Sequence, residues 1–444
     1  MKVSQLPHDP GPAAWNAILP PGRQRAALEE HAVADWLVIG AGFAGLSAAR
    51  RLAELHPGDS IAVLEASSLA EGPAGRNSGF MIDVPHELNS SDYSGSLNDN
   101  QRQLRLNRAG IAYALEAKNA FEMPDEAIAQ TGKINGAVTS RGIAHNDSYA
   151  EHLKGLGEAF DRLGANEMQA ITGTDYYQDG LYTAGTVMLQ PAMYIRSLAD
   201  RIESNRLRIY EHSAVCELSA QGSHWCAKTH KGSIVAPKVI LCVNGHLQSF
   251  GYYPKHLVHV YTYGSLSRKL TDLECHQLGG EPNWALTPAD PLGTSVRRIT
   301  DSTGSRILIR NRATYDPSLS VPAGRIAKVS KTHDRSFANR FPMLAGVSLE
   351  YRWGGRLCLS RNKVSAFGQM NTNLYSACCQ NGLGTAKGTI QGKLAAELAS
   401  GFKTDMLDDQ MAEDVPQRLP PAPLDTLGAA VKLAWGEHRA GHEL

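Results

Sequence analysis

The sequence predicts an α/β fold whose parallel sheet is assembled from separated stretches of chain. Three observations carry that reading. Trp36-Leu37-Val38-Ile39-Gly40-Ala41-Gly42-Phe43-Ala44-Gly45-Leu46-Ser47-Ala48-Ala49 reads as an apolar strand, a tight glycine turn and the first turns of a helix. A second junction of the same kind lies far downstream: a strand from Asn373 to Cys379, the glycine turn Gln380-Asn381-Gly382-Leu383-Gly384-Thr385, and a helix from Ala386 to Ser400. Between them, two blocks break the alternation of strand and helix, which marks a second, inserted domain.

The first junction spaces its glycines as G-x-G-x-x-G. Gly40 permits the tight turn, Gly42 lets the backbone approach a pyrophosphate, and Gly45 lets the helix pack close to the strand. The free N–H groups of the helix start then face the phosphates. A second strand, Ser60-Ile61-Ala62-Val63-Leu64, ends at Glu65. An acid about 20 residues past the motif accepts hydrogen bonds from an adenosine ribose. Strand, glycines, helix, strand and acid together describe a Rossmann-like dinucleotide-binding unit over residues 34–65. The loop that follows, Ala70-Glu71-Gly72-Pro73-Ala74-Gly75-Arg76-Asn77-Ser78-Gly79, leaves the carboxyl ends of the strands. Ligands bind there in such sheets, so its backbone donors and Arg76 suit a pyrophosphate or a planar ring.

The bulk properties narrow the class. With 444 residues, 42% of them hydrophobic and 20% charged, the chain suits a globular protein of two or three domains. Lys+Arg and Asp+Glu both number 44, which argues against a polyanion-binding role and hence against nucleic acid as a partner. Seven cysteines without a C-x-x-C pair read as free thiols in a reducing compartment. Met1 to Arg25 is rich in proline and lacks an apolar leader-like run, and no stretch is apolar enough to span a bilayer. A cytoplasmic enzyme is the expectation.

Residues 1–33 read as an arm, kept from forming a long helix by Pro7, Pro10, Pro12, Pro20 and Pro21, with Trp15 and Ile18-Leu19 available for docking. Helical periodicity covers 97–130 and Tyr149 to Leu163, with strand-like pieces over 132–145. A helix from Ala192 to Ser204, a strand from Arg208, a hairpin around Lys231-Gly232 and the apolar run Lys238 to Gly245 resemble a return to the first sheet. Residues 251–349 form the second excursion, with strands at Leu257 to Tyr263 and Arg306 to Arg310 and many arginines and tyrosines. The tail is acidic, then proline-rich, and closes with a short helix from Thr426 to Arg439. The resulting division is an arm (1–33), a discontinuous nucleotide-binding domain (34–90, 185–250 and 350–401), a substrate domain (91–184 and 251–349) and a C-terminal tail (402–444).

The order and spacing of Gly40-x-Gly42-x-x-Gly45 with Glu65, Gly75-Arg76-Asn77-Ser78-Gly79, Val215, Val239 to Gly245, Trp353-Gly354-Gly355 and Asn381 to Gly388 go beyond a generic dinucleotide fold. Over residues 34–400 the chain resembles the flavin-dependent amine and amino-acid oxidoreductases of the D-amino-acid-oxidase superfamily. That group includes glycine oxidase, sarcosine oxidase and γ-glutamylputrescine oxidase. The resemblance implies a discontinuous Rossmann-like FAD-binding domain with an inserted α+β substrate domain on a mainly antiparallel sheet. It implies FAD contacts at Gly40, Gly42, Phe43, Ala44 and Gly45 (pyrophosphate), Glu65 and Ala66 (adenosine) and Val215 (adenine). Arg76, Asn77, Ser78 and Gly79 would line the stretch towards the flavin, and Gly382, Leu383, Gly384 and Thr385 would meet the pyrimidine edge. A helix start at that edge also has a physical reason, because its N–H donors stabilise the negative charge of reduced flavin. Cys358 falls where the sarcosine-oxidase branch carries a cysteine bonded to the flavin, but Ser360 stands where that branch has a tyrosine. Non-covalent FAD is the expectation and a Cys358 linkage the alternative.

The reaction implied is oxidation of a C–N bond in a small amine or amino acid, with a hydride passing to flavin N5 and water hydrolysing the imine. Oxygen or another acceptor would take the electrons. Arg310 and Arg312 are the candidates for a substrate carboxylate, Tyr261 for a wall of the pocket, and His256 and His259 for a base. The competing readings are a flavin enzyme acting on a 2-hydroxyacid or glycerol-3-phosphate and an NAD-dependent dehydrogenase. The latter leaves the second glycine turn unexplained, and a non-catalytic flavoprotein is a third reading.

Overall fold

The computed structural model describes residues 1–85, 97–421 and 424–444. The expected domain boundary at 90/91 lies outside them.

The apolar runs build a six-stranded sheet in the order Leu207–Tyr210, Ile61–Leu64, Trp36–Ile39, Lys238–Leu241, Leu374–Cys378 and Ala366–Asn371. The first five strands are parallel and the last is antiparallel. Every residue of Trp36–Ile39, Ile61–Leu64 and Leu374–Cys378 is buried, as strands covered on both faces require. The helices that follow the two glycine turns, Phe43–Leu55 and Ala386–Ala399, lie against each other on one face. The Ser47 hydroxyl donates to the Thr389 carbonyl at 2.6 Å. At Gly392 a methyl group would stand 2.0 Å from the Ala44 carbonyl oxygen, so glycine is what lets the two helices touch. The far-apart glycine junctions thus become neighbours.

The second large sheet has eight strands in the order Leu349–Ser360, Leu257–Ser267, Gly304–Tyr315, Ser295–Asp301, Trp284–Pro288, Lys133–Ala137, Asp179–Thr183 and Asp161–Gly164. It is antiparallel except where Trp284–Pro288 runs parallel to Lys133–Ala137. The expected division differs here. Residues 350–360, placed with the nucleotide-binding sheet, pair instead along nearly the whole of Leu257–Ser267. Two smaller sheets complete the body: His31–Val33 with Ser233–Ala236, His224–Lys228 and Glu217–Gln221, and Phe80–Met81 with Val187–Leu189 and Ile128–Gln130.

Local signals explain the other departures. The helix expected from Tyr149 to Leu163 runs from Ser140 to Leu156. The Thr139 hydroxyl accepts from the Gly142 N–H and starts it, and Gly157 in the left-handed region ends it. Residues 161–164 then form a strand. The long helix that begins at Leu97 stops at Ala120, and Ile128–Gln130 joins the three-stranded sheet. The C-terminal helix, Leu424–Ala440, docks on the eight-stranded sheet through the Glu437–Arg312 ion pair. Beyond it, the Glu443 carboxylate accepts from the Val138 and Thr139 N–H groups. The arm carries one short helix, Ala14–Ala17, in which Trp15 is fully buried and donates to the Asn77 carbonyl at 2.7 Å.

Candidate active site

One continuous cleft follows the carboxyl ends of four parallel strands and ends between the two large sheets. Ile39 to Ala44, Leu64 to Ser67, Cys242 to Gly245 and Gln380 to Thr385 all border it. These are the turns that succeed the central strands, where an open α/β sheet binds its ligand.

At one end lie Val215, Ala66 and Glu65. Glu65 accepts from the Ala41 N–H at 2.9 Å and the Ser67 N–H at 3.1 Å. Burial nevertheless pushes its carboxyl above the usual range, so sugar hydroxyls arriving here would relieve a real desolvation. In the middle, the helix Phe43–Leu55 starts at Gly42 with no acid in its first turn. Gly40 has φ +102°, and a methyl group on Gly45 would sit 1.7 Å from the Gly40 carbonyl oxygen. Gly45 therefore supports the turn from beneath and does not itself line the cleft. At the far end the helix Ala386–Ala399 begins, again with no acid in its first turn. The Thr385 hydroxyl donates to the Phe80 carbonyl at 2.7 Å and ties this turn to the strand Phe80–Met81. Two helix starts free of competing carboxylates, facing one cleft with a ribose-type acid at its end, fit an extended dinucleotide.

Arg76 behaves differently from expectation. It borders the cleft, but its guanidinium donates to the Glu71, Pro10, Gly11 and Gly354 carbonyls. Its donors are spent on pinning the arm, not on a phosphate. Asn77 and Ser78 do line the cleft, while Gly79 sits behind them and donates to the Asn77 side chain at 2.7 Å.

Sequence reading missed the arm's contribution. Val3, Gln5, Pro7 and Asp9 form part of the cleft wall. Asp9 pairs with Arg356 through two bonds, at 3.0 and 2.6 Å, with both side chains over nine-tenths buried. The third Arg356 nitrogen meets His246 Nε2, and burial, then the Arg356 charge, holds His246 neutral, down to about 3. Partners so remote in sequence carry no local signature, although the arm's Trp15 hinted at docking.

The part of the cleft beyond the parallel sheet is walled by the eight-stranded sheet. Ser295, Arg310 and Gly264 stand opposite one another on successive strands, with Trp353 next in the row, and all four border the cleft. Arg310 has no hydrogen-bond or ion-pair partner among the described residues. Burial alone lowers its guanidinium to about 10. His259 lines the same cleft, is 3% exposed, and neither ring nitrogen has a partner among the described residues. Burial, then the Arg356 charge, lowers it to about 4.

Three sequence candidates do not reach the cleft. Arg312 is turned away and paired with Glu437 at 2.6 Å, so its charge is already neutralised. The Tyr261 hydroxyl donates to the Leu319 carbonyl at 2.7 Å inside a small apolar cluster. A bulge between Thr262 and Tyr263 shifts the register and puts Thr262, Tyr263 and Gly264 in succession on the cleft. His256 lies in the turn before that strand, its Nδ1 2.7 Å from the Pro254 carbonyl. Cys358 does border the cleft, 2% exposed. The adjoining Cys379 thiol and burial push its own thiol well above the usual range.

The DAO family, described as FAD dependent oxidoreductases, matches residues 35–398. The chain is 25% identical over 389 residues to a probable oxidoreductase OrdL of Haemophilus influenzae, covering 84% of each. It is 24% identical over 383 residues to gamma-glutamylputrescine oxidoreductase of Escherichia coli, covering 84% of this chain and 85% of that one. Among solved structures, glycine oxidase from Geobacillus kaustophilus superposes with a TM-score of 0.69 at 18% identity, over 88% of this chain and 100% of that one. Iminodiacetate oxidase from Chelativorans sp. superposes with a TM-score of 0.66 at 16% identity, over 86% and 100%. Among the described residues, no helix is long and apolar enough to cross a membrane. With the match spanning both glycine turns and the strands that bring them together, the chain belongs to the DAO family of FAD-dependent oxidoreductases, enzymes that act on amines or amino acids.

Proposed function

We propose that this enzyme oxidises the C–N bond of a small amine that carries a carboxylate. The observation that supports this most is Arg310, a cation without a partner among the described residues at the substrate end of the cleft. A half-buried guanidinium without a partner is costly to desolvate, and a bidentate carboxylate is the ligand that best offsets that cost. FAD, when bound, supplies the two-electron acceptor.

The chain's own residues do the rest. Arg310 holds the carboxylate end. His259, kept neutral by burial, adds no positive charge against an amine and offers a ring lone pair to an N–H. Pro288, Pro291 and Trp353 keep water from the neighbouring wall. The start of the helix Ala386–Ala399 would present N–H groups to the pyrimidine edge of a bound flavin, whose reduced form carries negative charge there. Gly40, Gly42, Phe43, Ala44, Glu65, Ala66 and Val215 would hold the remainder of FAD, non-covalently. A protonated Cys358 thiol is a poor nucleophile and argues against a covalent link.

The test is anaerobic bleaching of the yellow holoenzyme by glycine, N-methylglycine, L-proline, iminodiacetate and putrescine, with lactate and glycerol 3-phosphate as C–O controls. Bleaching by a carboxylated amine and not by putrescine or the controls is the expected result. Admitting air to the same cuvette shows whether oxygen restores the colour. Bleaching only by lactate or glycerol 3-phosphate would refute the proposal.

A further inference from the structure

Behind the substrate end lies a buried cation that the reaction above does not use. Lys133, on the strand Lys133–Ala137, is 1% exposed and packs 5.6 Å from the centre of the Tyr149 ring. Burial lowers its ammonium to about 8, with the Asp83 charge acting in the other direction. Its nitrogen donates to Asn135 Oδ1 on the same strand. That oxygen also accepts from the Thr287 hydroxyl at 2.8 Å. Thr287 stands opposite Asn135 on the adjoining strand and borders the cleft. One residue on from the Leu286–Val296 pair, it falls on the row of the sheet that holds Ser295 and Arg310.

The chemistry of these three groups leaves one arrangement. An ammonium only donates, so Lys133 fixes which end of the Asn135 amide faces it, and that end is the oxygen. An amide oxygen only accepts, so Thr287 gives its hydroxyl proton to Asn135 at 2.8 Å, in preference to the Ile134 carbonyl 3.4 Å away. The hydroxyl is then left with lone pairs alone towards the cleft. We infer that Lys133 is a positioning residue: through Asn135 it makes Thr287 an obligate hydrogen-bond acceptor for the N–H of the bound amine. Arg310 on the same row takes the carboxylate, so the pocket distinguishes the two ends of its substrate by opposite hydrogen-bonding character. Without Lys133 the amide is free to turn, and only the long contact to the Ile134 carbonyl is left to hold the Thr287 proton away from the cleft. The inference rests on the amine reading above and adds the determinant of amine orientation to it.

The test uses holoenzymes carrying Thr287→Val, Lys133→Met and both changes. The readouts are the half-saturating concentration and limiting rate of anaerobic bleaching by whichever amine above serves the wild type best. Benzoate, a carboxylate without an amine, is titrated by its perturbation of the flavin spectrum. Each single variant should raise the half-saturating amine concentration about tenfold, the size of one lost hydrogen bond, with a smaller effect on the limiting rate. The double variant should lose no more than the worse single one, and benzoate affinity should stay within about twofold. Lys133→Gln, which retains an N–H donor, keeps the relay and covers the case in which the methionine variant fails to fold. Wild-type behaviour of Lys133→Met, fully additive losses, an equal loss of benzoate affinity, or a Gln variant as impaired as Thr287→Val would each overturn the assignment. If no amine bleaches the wild type, the amine reading falls and takes this inference with it. If amines bleach all variants alike, only this inference falls.

Discussion

Replacing Arg310 with methionine should make the protein more stable and less able to bind its substrate. Burial lowers the guanidinium from its ordinary value to about 10, with no acid to compensate. At about 1.4 kcal/mol per tenfold, that shift disfavours the charged form in the fold by roughly 3 kcal/mol. Water in the cleft screens part of it, so the expected gain is about 1–3 kcal/mol. The sign is set by linkage. Both folded and unfolded chains carry the charge at pH 7, so the penalty is present there and lifts only above pH 10, where the folded state sheds its proton first. Methionine fills a similar volume without the charge. The same change removes a charge-assisted pair with the substrate, worth about 1.5–3 kcal/mol, so kcat/KM should fall roughly 10- to 150-fold. Urea unfolding of the flavin-free protein measures the first effect, and anaerobic reduction by a carboxylated amine the second. A variant that is less stable yet binds such an amine at full strength would refute the reasoning on both counts.

Other substitutions and conditions have equally definite outcomes. Gly45→Ala drives a methyl group against the Gly40 carbonyl oxygen, so the variant should purify colourless, with FAD affinity reduced at least about tenfold in a fluorescence titration. His246, His259 and His333 are held neutral by burial down to about 3, 4 and 4, so the unfolded chain binds protons that the folded one does not. Stability should fall as pH drops below about 6.5 and continue falling to about 4, by up to about 1.4 kcal/mol per pH unit for each histidine in urea titrations. Acid precipitation should leave the flavin in the supernatant, and Cys358→Ala should retain the cofactor; yellow in the washed pellet would show that the thiol reacts after all.

What the sequence made legible was mostly local. Each glycine turn announced itself through strand, glycine and helix in contiguous order, and the helix pairing at Gly392 is what joins them. The substrate end was harder, because a strand residue's face depends on register. Tyr261 and Tyr263 look interchangeable on paper, yet the bulge at Thr262/Tyr263 and the Leu319 carbonyl leave only Tyr263 on the cleft. Arg310 and Arg312 sit two apart, yet Arg312 has a left-handed backbone and a carboxylate partner on the C-terminal helix, more than a hundred residues away. Arg76 borders the cleft, but its guanidinium is taken up by carbonyls of the arm, Glu71 and Gly354, partners that no local pattern announces. Asp9 with Arg356, and Lys133 with Asn135 and Thr287, join strands or segments whose proximity no local pattern encodes.

The arm has a consequence for the order in which the cleft comes into being. Residues 3–15 emerge from the ribosome before every surface they dock on: the Asn77 carbonyl, then the Gln190 amide, the Cys216 and Ser249 carbonyls, and last the Arg356 guanidinium. Contacts of such wide sequence separation form late, because loop entropy must be overcome before they contribute. A segment made before its partners is therefore among the last to settle, and until it does the nucleotide groove lacks one of its sides. Docking of the arm and closure of the groove are one event, with the Asp9–Arg356 pair as the closing clasp.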